Sequence, residues 1–110
     1  MKNIFKDIPN SIPEEIFETI LQAKNVKIER IISKGHITPA TSWYNQNFDE
    51  WVLIIEGAAK IQFEQEDLPR SLAKGDYLWI PAHQRHQVVW TPKDTVTIWI
   101  AIHIFRENTN

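Results

Sequence analysis

The sequence contains no cysteine. That removes disulfide staples, thiolate metal sites, redox thiols and cysteine nucleophiles together. Glycine is nearly as scarce, three in 110 residues, too few for a phosphate-cradling loop or a dinucleotide fingerprint. An excess of one charge is also missing. Twelve Lys and Arg stand against fourteen Asp and Glu, a net charge of −2 with neutral histidines. With no basic run, nothing suits a nucleic acid, because phosphate binding needs clustered Lys and Arg. The longest uncharged stretch near the end, residues 95–105, is too short to span a bilayer. The opening Met1-Lys2-Asn3-Ile4-Phe5-Lys6-Asp7 has no apolar run of the signal-peptide kind. The expectation is a cytoplasmic protein with neither a nucleic-acid nor a membrane partner.

What is present is an ordinary apolar share, 43%, with an unusual number of large rings: five Trp, five Phe and two Tyr. A chain of this length is one domain and buries roughly two-thirds of its unfolded surface. No repeat, linker or low-complexity tract interrupts it. The division expected is a helical leader over 1–25 and a β barrel over 26–105. Ser11-Ile12-Pro13-Glu14 reads as a capping box, with Ser11 as the cap and Glu14 reaching back to its amide. Ile16, Phe17, Ile20 and Leu21 then recur at helical spacing, which predicts a helix over 13–24.

From Val26 the period becomes two. Val26, Ile28, Ile31 and Ile32 form a β-branched run ending at Lys34-Gly35, and residues 50–56, 60–64, 68–73, 77–80, 87–91 and 95–105 read as further strands separated by turn residues. Residues 108–110 read as a frayed tail. Many short strands at regular spacing mean an all-β sandwich or barrel. In the last strand one parity is wholly aliphatic, Val96, Ile98, Ile100, Ile102 and Ile104. That face is expected to pack the core. The other, with Trp99, Ala101, His103 and Phe105, is expected to meet a pocket, the helix or a partner chain.

Chemistry-bearing residues are few. The histidines are His36, His83, His86 and His103, and a lone histidine is more often a packed or surface residue than a ligand. His83 and His86 follow a strand and a proline, so they sit around a bend. His36, beside Gly35, is expected on the surface. Glu50 opens an apolar strand and shares a parity with Val52 and Ile54. A carboxylate on an inward face needs a metal, a cation or several donors.

Two stretches together resemble a cupin. Glu50-Trp51-Val52-Leu53-Ile54-Ile55-Glu56-Gly57 has the spacing of the end of the first cupin motif, and Gly75-Asp76-Tyr77-Leu78-Trp79-Ile80-Pro81 followed by His86 is similar to the second. More narrowly, Trp43-Tyr44-Asn45-Gln46, Asp49-Glu50-Trp51-Val52-Leu53 and Pro81-Ala82-His83-Gln84-Arg85-His86 resemble a group of small bacterial single-domain cupins. The resemblance implies a jelly roll, or double-stranded β-helix, with its site in the barrel mouth. The family's metal set is a His-x-His pair, a Glu and a later His. Glu50 and His86 match the last two. The His-x-His positions fall on Tyr44 and Gln46, or on Trp43 and Asn45.

The resemblance therefore implies a divalent metal, Fe, Mn, Ni or Zn, held by Glu50 and His86 with Gln46, Tyr44 and His83 as further donors. Trp43, Trp99 and His103 are the expected pocket residues. A small-molecule ligand or substrate and a homodimer follow from the same likeness. Three functions compete: a metal-dependent site, a metal-free carrier or sensor of a sugar-like or apolar molecule, and a metal-free isomerase or epimerase using Glu50 and His86 as acid and base.

Overall fold

The computed structural model describes residues 1–107, and the tail expected over 108–110 lies outside them. Eight strands make up its regular structure: β1 (Ile16–Gln22), β2 (Val26–Ser33), β3 (Asp49–Glu56), β4 (Ala58–Phe63), β5 (Arg70–Ala73), β6 (Tyr77–Ile80), β7 (His86–Trp90) and β8 (Thr97–Ile104). They form a five-stranded sheet in the order β1-β2-β8-β3-β6 and a three-stranded sheet in the order β5-β4-β7. All pairings are antiparallel. Between the sheets lies a core of Val52, Ile54, Ala59, Ile61, Phe63, Leu72, Ile80, Trp99 and Ala101.

The expected N-terminal helix is absent: no described residue is α-helical, and the segment forms the edge strand β1. Two forces override the helical spacing. Without a neighbour, β2 would present an unpaired ladder, and Ile16, Thr19 and Ile20 are β-branched residues that suit a pleated surface. A register shift between Thr19 and Leu21 then lets apolar residues at helix-like intervals serve a strand. The leader before it is pinned to the sheet by Arg30, which is 5% exposed. Its guanidinium donates to the carbonyls of Ile4 (2.8 Å) and Lys6 (2.7 Å) and to Glu18 (2.6 Å).

The mixed face of β8 meets the pocket as expected, but the aliphatic face, apart from the buried Ile98, does not fill the core. Thr97, Trp99, Ala101 and His103 are buried inside, whereas Ile100, Ile102 and Ile104 are only half-buried. Opposite residues in an antiparallel pair share a face, so Ile102 lies beside Ile28 and Trp51, and Ile100 beside Arg30 and Leu53, on the outer surface. The mixed parity was the inward one because the barrel interior holds the polar site as well as the core.

Long connections are held by side chains rather than by strands. The segment before β3 runs along β7: Tyr44 and His86 exchange backbone bonds of 2.9 and 3.2 Å, Thr38 N–H donates to Val88 (2.8 Å), and Gln87 Nε2 donates to the carbonyls of Ala40 (3.1 Å) and Ser42 (2.6 Å). The turn between β3 and β4 is a single residue, Gly57, at φ +87°. A Cβ there would lie 2.7 Å from the Val96 carbonyl oxygen and 2.8 Å from Thr97 Cα. Gly75 has a similar φ of +89° but nothing within 4 Å of its would-be Cβ. We expect Gly57→Ala to lower unfolding free energy by about 2–3 kcal/mol and Gly75→Ala by about 1 kcal/mol. Urea denaturation checks this, and equal losses at the two positions would contradict the close approach at Gly57.

Candidate functional site in the barrel mouth

A cavity of about 100 Å³ opens between the sheets, lined on its polar side by Glu15, Glu29, Tyr44, Gln46, Glu50, His86 and His103. By the usual allowance that is room for several waters or a small organic molecule. Strand parity puts these groups together. Glu50 starts β3 on the parity of Val52 and Ile54, both core residues, and lies opposite His103 of β8 and Ile80 of β6. Glu29 is on the inward parity of β2, two residues from Ile31. Residues 94% and 92% buried, Glu50 and His103, are affordable there only because they bond to each other.

The His103–Glu50 contact is 2.9 Å from Nε2 to Oε2, and the same Nε2 lies 3.6 Å from Glu29 Oε1. Two carboxylates facing one ring nitrogen require that nitrogen to carry the proton. Lys27 meets the other oxygen of Glu29 at 3.4 Å. Phe48 packs on the His103 ring with centroids 4.6 Å apart, and Phe105 packs on Phe48. The imidazole is therefore fixed in position from two sides.

His86 is arranged differently. Its Nδ1 lies 2.8 Å from the Gln84 carbonyl oxygen. A carbonyl only accepts, so Nδ1 carries the hydrogen and Nε2 of the neutral ring has a free lone pair. No protein group bonds Nε2 among the described residues, although His86 is 4% exposed and lines the cavity. Tyr44 stacks on this ring at 5.3 Å. Burial raises the Tyr44 phenol above its ordinary pKa, and Glu15 and Glu50 raise it further, against an opposing hydrogen bond with Thr38. It therefore stays a neutral phenol.

The loop carrying His86 is tied at its start. Asp49 accepts from the Ala82 N–H at 2.9 Å and from Arg106, and these two bonds hold its carboxyl below the ordinary range. His83 adopts φ +64°, donates its backbone N–H to the Gln46 carbonyl at 2.7 Å, and faces solvent with Nδ1 3.2 Å from Asn45 Oδ1. It does not line the cavity, and neither does Trp43, whose ring lies under the Arg85 guanidinium. Of the residues singled out from sequence, the cavity brings together Tyr44, Gln46, Glu50, His86, Trp99 and His103. His36 is bound elsewhere, with Nδ1 accepting from the Lys34 N–H at 2.9 Å.

Sequence reasoning missed Glu29 and Glu15. Glu29, like Glu50, is a carboxylate on the inward parity of a β-branched strand, and that pattern is the signal that marks it. Glu15 was hidden by the helix reading. Its carboxylate accepts from Ser33 Oγ, which in turn accepts the Trp99 indole N–H at 3.2 Å.

The donors do not fit the divalent metal that the family motif implies. Among the described residues no three His, Asp or Glu side chains are grouped so as to hold a metal ion. Glu50 Oε2 is committed to His103, His83 is turned outward, and the neutral Tyr44 phenol is a poor ligand. Of the donors matching the family motif, His86 keeps a free lone pair on Nε2.

No protein-family model and no curated protein matches the chain. Solved structures do. A proposed mannose-6-phosphate isomerase from Ralstonia eutropha JMP134 is 43% identical, covering 96% of this chain and 98% of that one at a TM-score of 0.92. A cupin superfamily protein from Desulfitobacterium hafniense DCB-2 is 23% identical over 90% of this chain and 84% of that one, TM-score 0.72. An RmlC-like cupin with a double-stranded β-helix fold from Methanocaldococcus jannaschii is 14% identical over 89% and 86%, TM-score 0.68. Two antiparallel sheets around the cavity, in a path shared over most of the chain with these structures, give the chain the cupin fold, a double-stranded β-helix.

Proposed function

We propose that the barrel mouth binds a small polar organic molecule and exchanges protons with it, without a resident divalent metal. The observation that carries this reading is the contrast between the two buried imidazoles. His86 keeps a bare Nε2 toward the cavity, and His103 is engaged with Glu50. Such a pair suits isomerase or epimerase chemistry. His86 Nε2 would take the proton from a carbon next to a carbonyl. The C–H electron pair becomes the new C=C bond, and the carbonyl π pair moves to oxygen, which takes a proton from the Glu50–His103 pair. Loss of the neighbouring hydroxyl proton to that pair, with return of the proton from His86 to the former carbonyl carbon, completes the shift with no net oxidation. The isomerase name of the Ralstonia relative belongs to this class of reaction.

After incubation with excess Fe(II), Mn(II), Ni(II) or Zn(II) and desalting, we expect far less than one metal ion per chain. One ion per chain in the wild type, lost in both Glu50→Ala and His86→Ala, would overturn the metal-free reading. For any aldose or hydroxy ketone that the wild type turns over, His86→Ala and Glu50→Gln should each slow solvent-deuterium exchange at the carbon beside the carbonyl by about 10²-fold or more. His36→Ala should leave it unchanged. Unchanged exchange in His86→Ala would contradict the assignment.

We also propose that a second copy covers the outer face of the five-stranded sheet. Ile28, Trp51, Leu53, Ile100 and Ile102 are half-buried there, and Tyr77 and Trp79 are 68% and 45% exposed. An apolar sheet face of this kind ordinarily meets a partner. Light scattering at tens of micromolar should give a dimer mass, and Trp79→Glu with Ile102→Glu should give a monomer with an unchanged far-UV spectrum. A wild-type monomer at high micromolar concentration would contradict it.

A further inference from the structure

The charge of the cavity lining bears on which molecule enters, given the reading of the cavity as a small-molecule site, on which this inference rests. Three carboxylates line it, Glu15, Glu29 and Glu50, and no Lys or Arg does. Among the described residues, Lys27 is the only Lys or Arg within ion-pair distance of any of the three, reaching Glu29 at 3.4 Å. His103 gives its Nε2–H to Glu50, and Glu15 receives only the Ser33 hydroxyl. One ammonium and one imidazole are thus shared among three carboxylates. Buried carboxylates are stable when a cation or several donors complete them.

A second observation is independent of the carboxylates. His86 is 4% exposed, lines the cavity, and presents an Nε2 lone pair that no described group satisfies. That atom is open to the cavity, where a donor on a ligand or a water reaches it. The aromatic walls agree, since Phe17, Tyr44 and Trp99 line the same space and ring faces attract cations. An anion finds the opposite: three carboxylates and no guanidinium or ammonium in the lining.

We propose that the cavity takes a small organic cation, a protonated amine, drawn in by the carboxylates of Glu15, Glu29 and Glu50, with the His86 Nε2 lone pair left for proton exchange with its carbon skeleton. Phosphate esters and carboxylates are turned away. A sugar phosphate, the class named for the Ralstonia relative, would set its phosphate against this lining.

Three probes with one carbon skeleton separate charge from shape: isobutylammonium, isobutanol and isobutyrate. Each is titrated at neutral pH and low salt into the wild-type chain, with the Trp99 indole N–H resonance as the readout inside the cavity. Isobutylammonium should bind at least about tenfold more tightly than isobutanol, as expected for a charge contact shielded from bulk water. Isobutyrate should cause no shift. Glu29→Gln should bring the ammonium to within about threefold of the alcohol by removing one charge partner. Should that variant fail to fold, Glu15→Gln should weaken the ammonium in the same direction. Binding of isobutanol or isobutyrate as tight as that of the ammonium would overturn the cation assignment and leave the small-molecule reading standing. No shift with any probe at high millimolar concentration would overturn both.

Discussion

The bond between His103 and Glu50 is the constraint on which the barrel mouth depends. The two residues lie directly opposite on β8 and β3, central strands of the larger sheet. Their side chains point into the space that the core fills further down. Neither is affordable alone at that depth. Together, with Glu29 and Lys27 beyond, they make a polar layer that holds the upper barrel open while Val52, Ile54, Trp99 and Ala101 close the part below. Phe48 and Phe105 pack against the imidazole from the rim, so the polar pair is gripped by apolar contacts.

The second half of the site is built by different means. His86 and Tyr44 stand where β7 meets the long connection from β2 to β3. That connection has no extended ladder of its own. It is fastened by Thr38, by the Gln87 amide and by the backbone bridge at Tyr44. One wall of the cavity is therefore a rigid sheet and the other a strapped loop. Asp49, at the start of β3, ties down the loop before β7 through Ala82 and the chain after β8 through Arg106. Removing it would loosen the approach to His86 before it disturbed the core.

Much of the barrel was legible. The period of two, the glycine turns and the cupin-like spacing located the strands from β2 to β8 within a few residues, and the parity of Glu50 identified an inward carboxylate. What failed did so for physical reasons. The residues of β1 carry an apolar spacing that suits a helix, and only the open edge of β2, which is not visible in a linear pattern, makes them a strand. The aliphatic parity of β8 looked like core because aliphatic faces usually are. Here the barrel interior needed His103 and Trp99, and the aliphatic row was left on the outside. His83 and His86 share a short motif, but the left-handed backbone at His83 sends its ring outward while the strand sends the other inward. Glu29 was recoverable from parity. Glu15 was not, once its segment was read as helix.

The central claim is that two buried imidazoles hold opposite tautomers, one poised to accept a proton and the other committed to a carboxylate. Long-range ¹H–¹⁵N correlation spectra of uniformly labelled protein near neutral pH read this directly. The account predicts that His86 shows a protonated Nδ1 and a pyridine-like Nε2, and that His103 shows a protonated Nε2. A His86 ring protonated at Nε2, or a His103 ring with a bare Nε2, would contradict it.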